Sequence, residues 1–308
     1  MARYPIWMRK VFSPDGTARV VRELIEDLEL VTVCESARCP NLRECYSQRQ
    51  LTFMILGDRC TRRCQFCAVP SGRPARVEET EPLRVAEAVA RLRLRHVVIT
   101  SVARDDLPDE GMGQFLRVME AVRERSPGVS VEVLVPDFHG REELIRELVE
   151  EGTPEVFAHN VETVERLSRL LRPQATYRRS LQVLRVAAHC QRGSLIKSSL
   201  MVGLGETRAE VVETLDALRS AGVTHLTIGQ YLRPDARQLP VMEYLSPERF
   251  AEYAQLADAR GFAWVQTGPF VRSSYHAIDA LEISVKREAE DAGAPSMAVW
   301  HEVQEPIA

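Results

Sequence analysis

The chain has 308 residues, 45% of them hydrophobic and 27% charged, with a formal net charge of −4. That balance excludes the strongly basic footprint of a nucleic-acid binder and matches a globular protein long enough to bury a sizeable core. No run approaches the ~20 apolar residues of a membrane-spanning helix, and the opening MARYPIWMRKVF lacks the apolar segment of a secretory leader. The expected compartment is the cytosol, where thiols stay reduced and disulfides are rare.

Residues 1–50 read as an N-terminal extension. Thr17 is the expected cap of a helix whose apolar positions are Val20, Leu24, Leu28 and Val31. A loop-like stretch, VCESARCPNLRECY, follows it. From residue 51 short apolar runs alternate with amphipathic segments. Strands are predicted over 51–56, 96–102, 129–135, 155–160, 194–203, 225–229 and 263–268. Helices are predicted over 81–94, 111–125, 141–151, 161–171, 176–191, 207–221 and 247–260, with Thr80 and Ser246 as caps ahead of prolines. Strands that are apolar and β-branched throughout, spaced by helices, imply a parallel α/β sheet buried on both faces. Such units make either a barrel or a doubly wound sheet. Residues 51–270 form this unit, and 271–308 form a C-terminal extension that ends, from about 285, in a loosely attached tail.

Six of the seven cysteines lie between positions 34 and 67. Cys34, Cys39 and Cys45 read C-x4-C-x5-C, and Cys60, Cys64 and Cys67 read C-x3-C-x2-C. An odd total crowded into one segment of a cytosolic chain points to metal rather than to a disulfide framework. Each triplet is one thiolate short of a closed site, so each leaves a coordination position free. Soft thiolates suit an iron–sulfur cluster or zinc. Structural zinc sites use two close cysteine pairs, and only Cys64 and Cys67 make one, so a cubane with an open iron is the favoured reading and a zinc loop the alternative. Arg59, Arg62 and Arg63 are expected to lower the neighbouring thiol pKa values and offset cluster charge. The second triplet follows the first strand, and barrels place their chemistry in the loops after strands, which favours the barrel over the open sheet.

C-x3-C-x-Φ-C, with aromatic Phe66 before the last cysteine, resembles the signature of the radical S-adenosylmethionine (SAM) enzymes. The resemblance implies a partial parallel (β/α) barrel of radical SAM type with N- and C-terminal extensions. It implies a 4Fe–4S cluster on Cys60, Cys64 and Cys67, with SAM on the free iron, cleaved reductively to a 5′-deoxyadenosyl radical. The first triplet narrows the match. Together with VVITSVARDDL (97–107), VFAHNVETV (156–164), LTIGQYLRP (226–234) and RSSY (272–275), it is similar to the lipoyl synthase family. This implies a second, auxiliary 4Fe–4S cluster on Cys34, Cys39, Cys45 and Ser274, consumed as the sulfur donor. The implied reaction is sulfur insertion at C6 and C8 of a protein-bound octanoyl-lysyl group. The implied partners are an octanoylated lipoyl-carrier domain, on dehydrogenase E2 subunits or glycine cleavage H protein, and a low-potential reductant, ferredoxin or flavodoxin.

Taken alone, Ser273-Ser274 reads as a loop pair bonding backbone. Phe66, Thr100, Asn160 and Glu206 are the SAM-contact candidates, although Gly203 to Glu206 alone reads as a tight turn. Arg104, Asp105 and Asp106 either bind SAM or fix a loop by ion pairing. Cys190 reads as a small buried hydrophobe, and His159 as a packed strand-end residue. Two alternatives stand beside the main reading. One is another two-cluster radical SAM sulfur enzyme, such as a methylthiotransferase. The other is a non-enzymatic two-cluster electron carrier, for which an open iron has no use.

Overall fold

The computed structural model describes residues 4–8, 16–190 and 193–283, and the predicted tail lies outside the described residues. All seven predicted strands are present: β1 (Thr52–Ile55), β2 (His96–Ser101), β3 (Ser130–Leu134), β4 (Val156–Ala158), β5 (Leu195–Val202), β6 (His225–Gln230) and β7 (Trp264–Gly268). They pair in chain order, every pair parallel. Among the described residues no pairing joins β7 to β1, so the sheet is a partial barrel with one open side.

Three helices precede the barrel: α1 (Thr17–Asp27), α2 (Val33–Ser36) and α3 (Leu42–Ser47). The crossovers between successive strands carry α4 (Glu81–Leu92), α5 (Met112–Arg125), α6 (Glu142–Gly152), α7 (Glu165–Leu171) with α8 (Tyr177–Cys190), α9 (Arg208–Ser220) and α10 (Pro247–Asp258). The predicted loop of the first triplet is therefore largely the two short helices α2 and α3. In α1 the buried residues are Val21 and Ile25, one position along from the expected stripe, and Val20 is 41% exposed. Gly16 takes the cap position, leaving Thr17 as the first helical residue. Neither Thr80 nor Ser246 makes a side-chain cap bond, whereas Thr207 forms a reciprocal capping box with Glu210.

Alternate strand residues face opposite sides of a sheet. One set, including Val97, Ile99, Val131, Val133, Phe157, Ile196, Leu226 and Ile228, is fully buried in a core shared with Phe115, Leu148, Val183 and Leu215 of the surrounding helices. Each such side chain contributes about 1.5–3 kcal/mol of transfer free energy. The other set lines the barrel interior and departs from the apolar expectation: His96, Thr100, Glu132, Lys197, Ser199, His225 and Thr227. These groups are tolerated because they are paired. Lys197 Nζ lies 3.0 Å from both Glu132 carboxylate oxygens, and Thr227 Oγ1 donates to Ser199 Oγ at 2.8 Å. Burial alone would raise the Glu132 carboxyl, but Lys197 and His96 outweigh it and hold the group below the usual carboxylate range. His159, just past β4, donates from Nδ1 to Val135 O and accepts at Nε2 from Ser180 Oγ, each at 2.9 Å. The carbonyl can only accept, which sets the tautomer.

Two outcomes follow from these buried groups. Lys197→Met leaves the Glu132 charge without its lysine partner and should cost about 3–5 kcal/mol in chemical denaturation, and adding Glu132→Leu should recover most of it. A single variant as stable as the parent would refute the pairing. Burial holds His159 down, from 6.5 to about 4. The unfolded chain takes up this proton near pH 6.5 and the folded chain only near 4. Stability is therefore lost as pH falls across that window, by up to about 3 kcal/mol. His159→Gln should flatten that slope in urea titrations of the apo-protein, and parallel profiles would sink the assignment.

Candidate active site

Three separate segments meet around the interior of the barrel. The first is placed by the free edge of β1. Met54 N donates to Val31 O at 2.8 Å and Thr32 bridges Phe53 in antiparallel fashion. Thr32 then caps α2, accepting from Glu35 N, and shares a 2.8 Å hydrogen bond with the Tyr46 hydroxyl of α3. Helix α2 so begins at the strand edge, with Cys34 buried in its first turn, Cys39 in the turn that follows and Cys45 on α3.

The second segment leaves the other end of β1. Leu56 and Gly57 adopt positive φ, and the Leu56 N–H is held by the Glu81 carboxylate at 3.0 and 3.1 Å. Cys60 Sγ accepts from the backbone N–H groups of Ala103 at 3.3 Å and Arg62 at 3.4 Å. The far side of the loop is tied by Gln65 N to Leu171 O, Leu239 N to Gln65 O and Gln238 Nε2 to Cys67 O, at 2.8–3.1 Å. The third segment follows β7. Asn41 Nδ2 donates to Phe270 O, Tyr275 Oη to Glu44 Oε1 and Thr52 Oγ1 to Ser274 Oγ, all at 2.7–2.8 Å. Its backbone crosses β6 at Gly229, where a Cβ would stand 2.1 Å from Val271 O.

Between these segments lies a cavity of about 470 Å³. Cys34, Cys39, Cys60, Cys64, Cys67 and Ser274 line it, as do the expected SAM contacts Phe66, Thr100 and Asn160. Cys45 is not part of that lining; it sits behind on α3. Glu206 is also outside it. Its carboxylate accepts from Gly203 N at 2.6 Å and Leu204 N at 2.9 Å, so the residue closes its own βα turn and does not contact the cavity. Thr100 spends its proton on Leu134 O, while Asn160 Oδ1 is buried without a hydrogen-bond partner among the described residues.

All seven cysteines are free thiols. The expected lowering of thiol pKa does not hold for Cys64 or Cys67. Burial, then the neighbouring Cys39, pushes Cys34 up to about 12; burial, then Cys67, pushes Cys64 up to about 12; burial raises Cys67 to about 11. Arg62 brings them no relief, because Asp105 at 2.8 Å and Asp137 at 2.6 Å engage its guanidinium. Arg59 and Arg63 are exposed. Thiols held in this way become ligands when a cation takes the place of the proton. Among the described residues neither triplet gathers its sulfurs within 4.8 Å of one another. A zinc ion at 2.3 Å from each sulfur would need separations of roughly 3.8 Å, so the spacing suits a cluster better than a single ion. The donor set fits such a group. One His/Asp/Glu set is that close, Asp105, Glu110 and His139, but Arg62 and Arg141 reach it and mark it as an ion-pair network.

Arg104 holds Leu56 O, Ala75 O and Asp106, and Asp105 holds Arg62, so SVARDDL fixes loops. Cys190 is a core residue, as expected. His159 is packed, and its ring also reaches the cavity wall. The sequence reading missed Glu162 and Arg172, both in the lining. Glu162 accepts from Asn160 Nδ2 at 3.1 Å, and burial raises its carboxyl. A carboxylate just after a short apolar strand, at a strand's C-terminal end, was the signal available.

The Radical SAM superfamily model matches residues 54–218. A lipoyl synthase of Rubrobacter xylanophilus is 51% identical over 90% of this chain and 86% of its own length. One of Caldanaerobacter subterraneus subsp. tengcongensis is 48% identical over 92% and 98%. Among solved structures, a methylornithine synthase superposes with a TM-score of 0.52 at 14% identity, covering 94% of this chain and 91% of that one, a likeness of fold. Signature cysteines, parallel partial barrel and close relatives agree: the chain is an enzyme of the lipoyl synthase family within the radical SAM superfamily.

Proposed function

We propose that the chain inserts sulfur at C6 and C8 of a protein-bound octanoyl-lysyl group, completing a lipoyl group. The observation that carries this reading is that Cys34 and Cys39 of the first triplet, all three cysteines of the second, and Ser274 of RSSY line one cavity. In it, Cys60, Cys64 and Cys67 hold a 4Fe–4S cluster with SAM, and Cys34, Cys39, Cys45 and Ser274 hold a second cluster that is a substrate, the source of the sulfur. When bound, the first cluster and SAM supply a 5′-deoxyadenosyl radical, one for each hydrogen removed.

The chain's own residues bind, orient and exclude water. Phe66 offers an apolar face beside the third cysteine. Asn160 and Glu162, on the loop after β4, offer an unpaired carbonyl oxygen and a carboxylate to hydroxyl or amine donors of SAM. Arg172, with Ser180 and Asn160 O as its partners, offers the balancing charge. Met54, Val69, Leu134, Met201 and Val271 give the cavity an apolar wall for an eight-carbon chain. Burying that chain against such a wall is favourable by about 0.8 kcal/mol per methylene.

We assign residues 1–50 and 271–308 as extensions that complete the centre, and 51–270 as the barrel. The partners are an octanoylated carrier domain and a low-potential reductant, and the compartment is the cytosol. No helix among the described residues is long and apolar enough to cross a membrane.

Anaerobic reconstitution should give about eight irons per chain, two cubanes' worth. With SAM, reductant and an octanoyl-lysyl peptide, mass spectrometry should show addition of two sulfurs together with 5′-deoxyadenosine. Cys60→Ala should abolish SAM cleavage, and Cys39→Ala should keep some cleavage without sulfur insertion. Four irons, or deoxyadenosine with no sulfur added, would overturn the proposal.

A further inference from the structure

Three hydrogen bonds stitch the first cysteine segment and β1 to the chain after β7, and of these the Thr52–Ser274 bond reaches the serine oxygen itself. Thr52 opens β1, is 2% exposed, and is held in register opposite Val98 of β2. Its hydroxyl donates to Ser274 Oγ at 2.8 Å, and Ser274 lines the central cavity together with Cys34. One strand residue therefore holds, through its side chain, a group from the far end of the sequence.

A serine hydroxyl turns freely about its Cα–Cβ bond, so it is a dependable ligand only where something else fixes its rotamer. A buried threonine hydroxyl, for its part, needs a partner. The Thr52 proton satisfies both requirements and leaves lone pairs on Ser274 Oγ for a metal. A donor to an anionic oxygen also forms a short, charge-assisted bond. Partners of this kind orient metal ligands, and their loss typically costs 10–100-fold in affinity.

We propose that Thr52 is a positioning residue for the auxiliary cluster, holding Ser274 in its ligating rotamer. The inference rests on the reading of Ser274 as the fourth ligand. Ser274 also borders a second pocket of about 110 Å³, lined by Arg49, Arg95 and Ile278 among others. Ser274 therefore borders both spaces, and a loose rotamer would have room to swing away from the central cavity.

The test uses the full chain, reconstituted anaerobically, with release of iron to a chelator followed beside the Mössbauer spectrum and the thermal midpoint. Thr52→Val should release about half of its iron at least 10-fold faster than the parent, as Ser274→Ala does, with the remaining half unchanged. Thr52→Ser, which keeps the hydroxyl, should behave as the parent. If Ser274→Ala is fast and Thr52→Val is not, the ligand reading stands and the role of Thr52 falls. If Ser274→Ala itself releases iron at the parental rate, the ligand reading fails and takes this inference with it. Equal acceleration of both halves in Thr52→Val, or a lowered midpoint, would make Thr52 a fold residue and overturn the proposal.

Discussion

The edge of β1 is the contact on which the site depends. A strand at the boundary of an open barrel leaves one row of backbone groups without a strand partner, and here Val31 and Thr32 take up part of that row. That pairing brings the first triplet to the barrel. The opposite end of the same strand launches the second triplet through the turn at Leu56 and Gly57, and its first residue receives Ser274. A closed barrel would have had no edge to offer. The opening between β1 and β7 is the geometric condition for joining remote segments of sequence around one cavity.

The interior charges are paired off among the protein's own side chains. Arg62, the buried arginine within the second triplet, is engaged by Asp105 and Asp137, and Arg179 shares Asp137 at 3.1 Å. The barrel base disposes of its own charges in the Lys197–Glu132 pair. Loss of hydration then governs the thiols, and it disfavours thiolate. Cys34, Cys64 and Cys67 are held as thiols in this way and acquire ligand charge together with the cation that compensates it. This couples loading of the centre to proton release.

Much of the fold was legible because long-range order here follows local signals. Seven apolar runs at regular intervals are seven strands, and Pro82 and Pro247 lie in the first turns of their helices. The cysteine spacings marked the site, and RSSY joined it only through a family resemblance. What escaped the reading were properties of pairs of segments. Thr52 reads as an ordinary β-branched strand residue, and nothing in its neighbours announces a contact 222 positions away. Glu132 and Lys197 sit in strands that look apolar, because each is acceptable only in the presence of the other. Glu206 stands outside the cavity lining for the converse reason. A carboxylate after two glycines invites a ligand, but the two N–H groups of its own turn lie nearer. The one-residue error at Val20 arose because helical periodicity leaves the phase of a stripe open until its packing partner is known.

Gly229 gives the cavity one of its dimensions. Its φ does not require a glycine; the volume a methyl group would fill is already taken by the peptide of Val271. The β6 backbone thus acts as a gauge block on which the C-terminal loop is seated, fixing its height above the sheet to about the thickness of two touching main chains. Variation at position 229 is closed off by a loop more than forty residues downstream, so a constraint that looks like strand chemistry belongs to the other end of the protein.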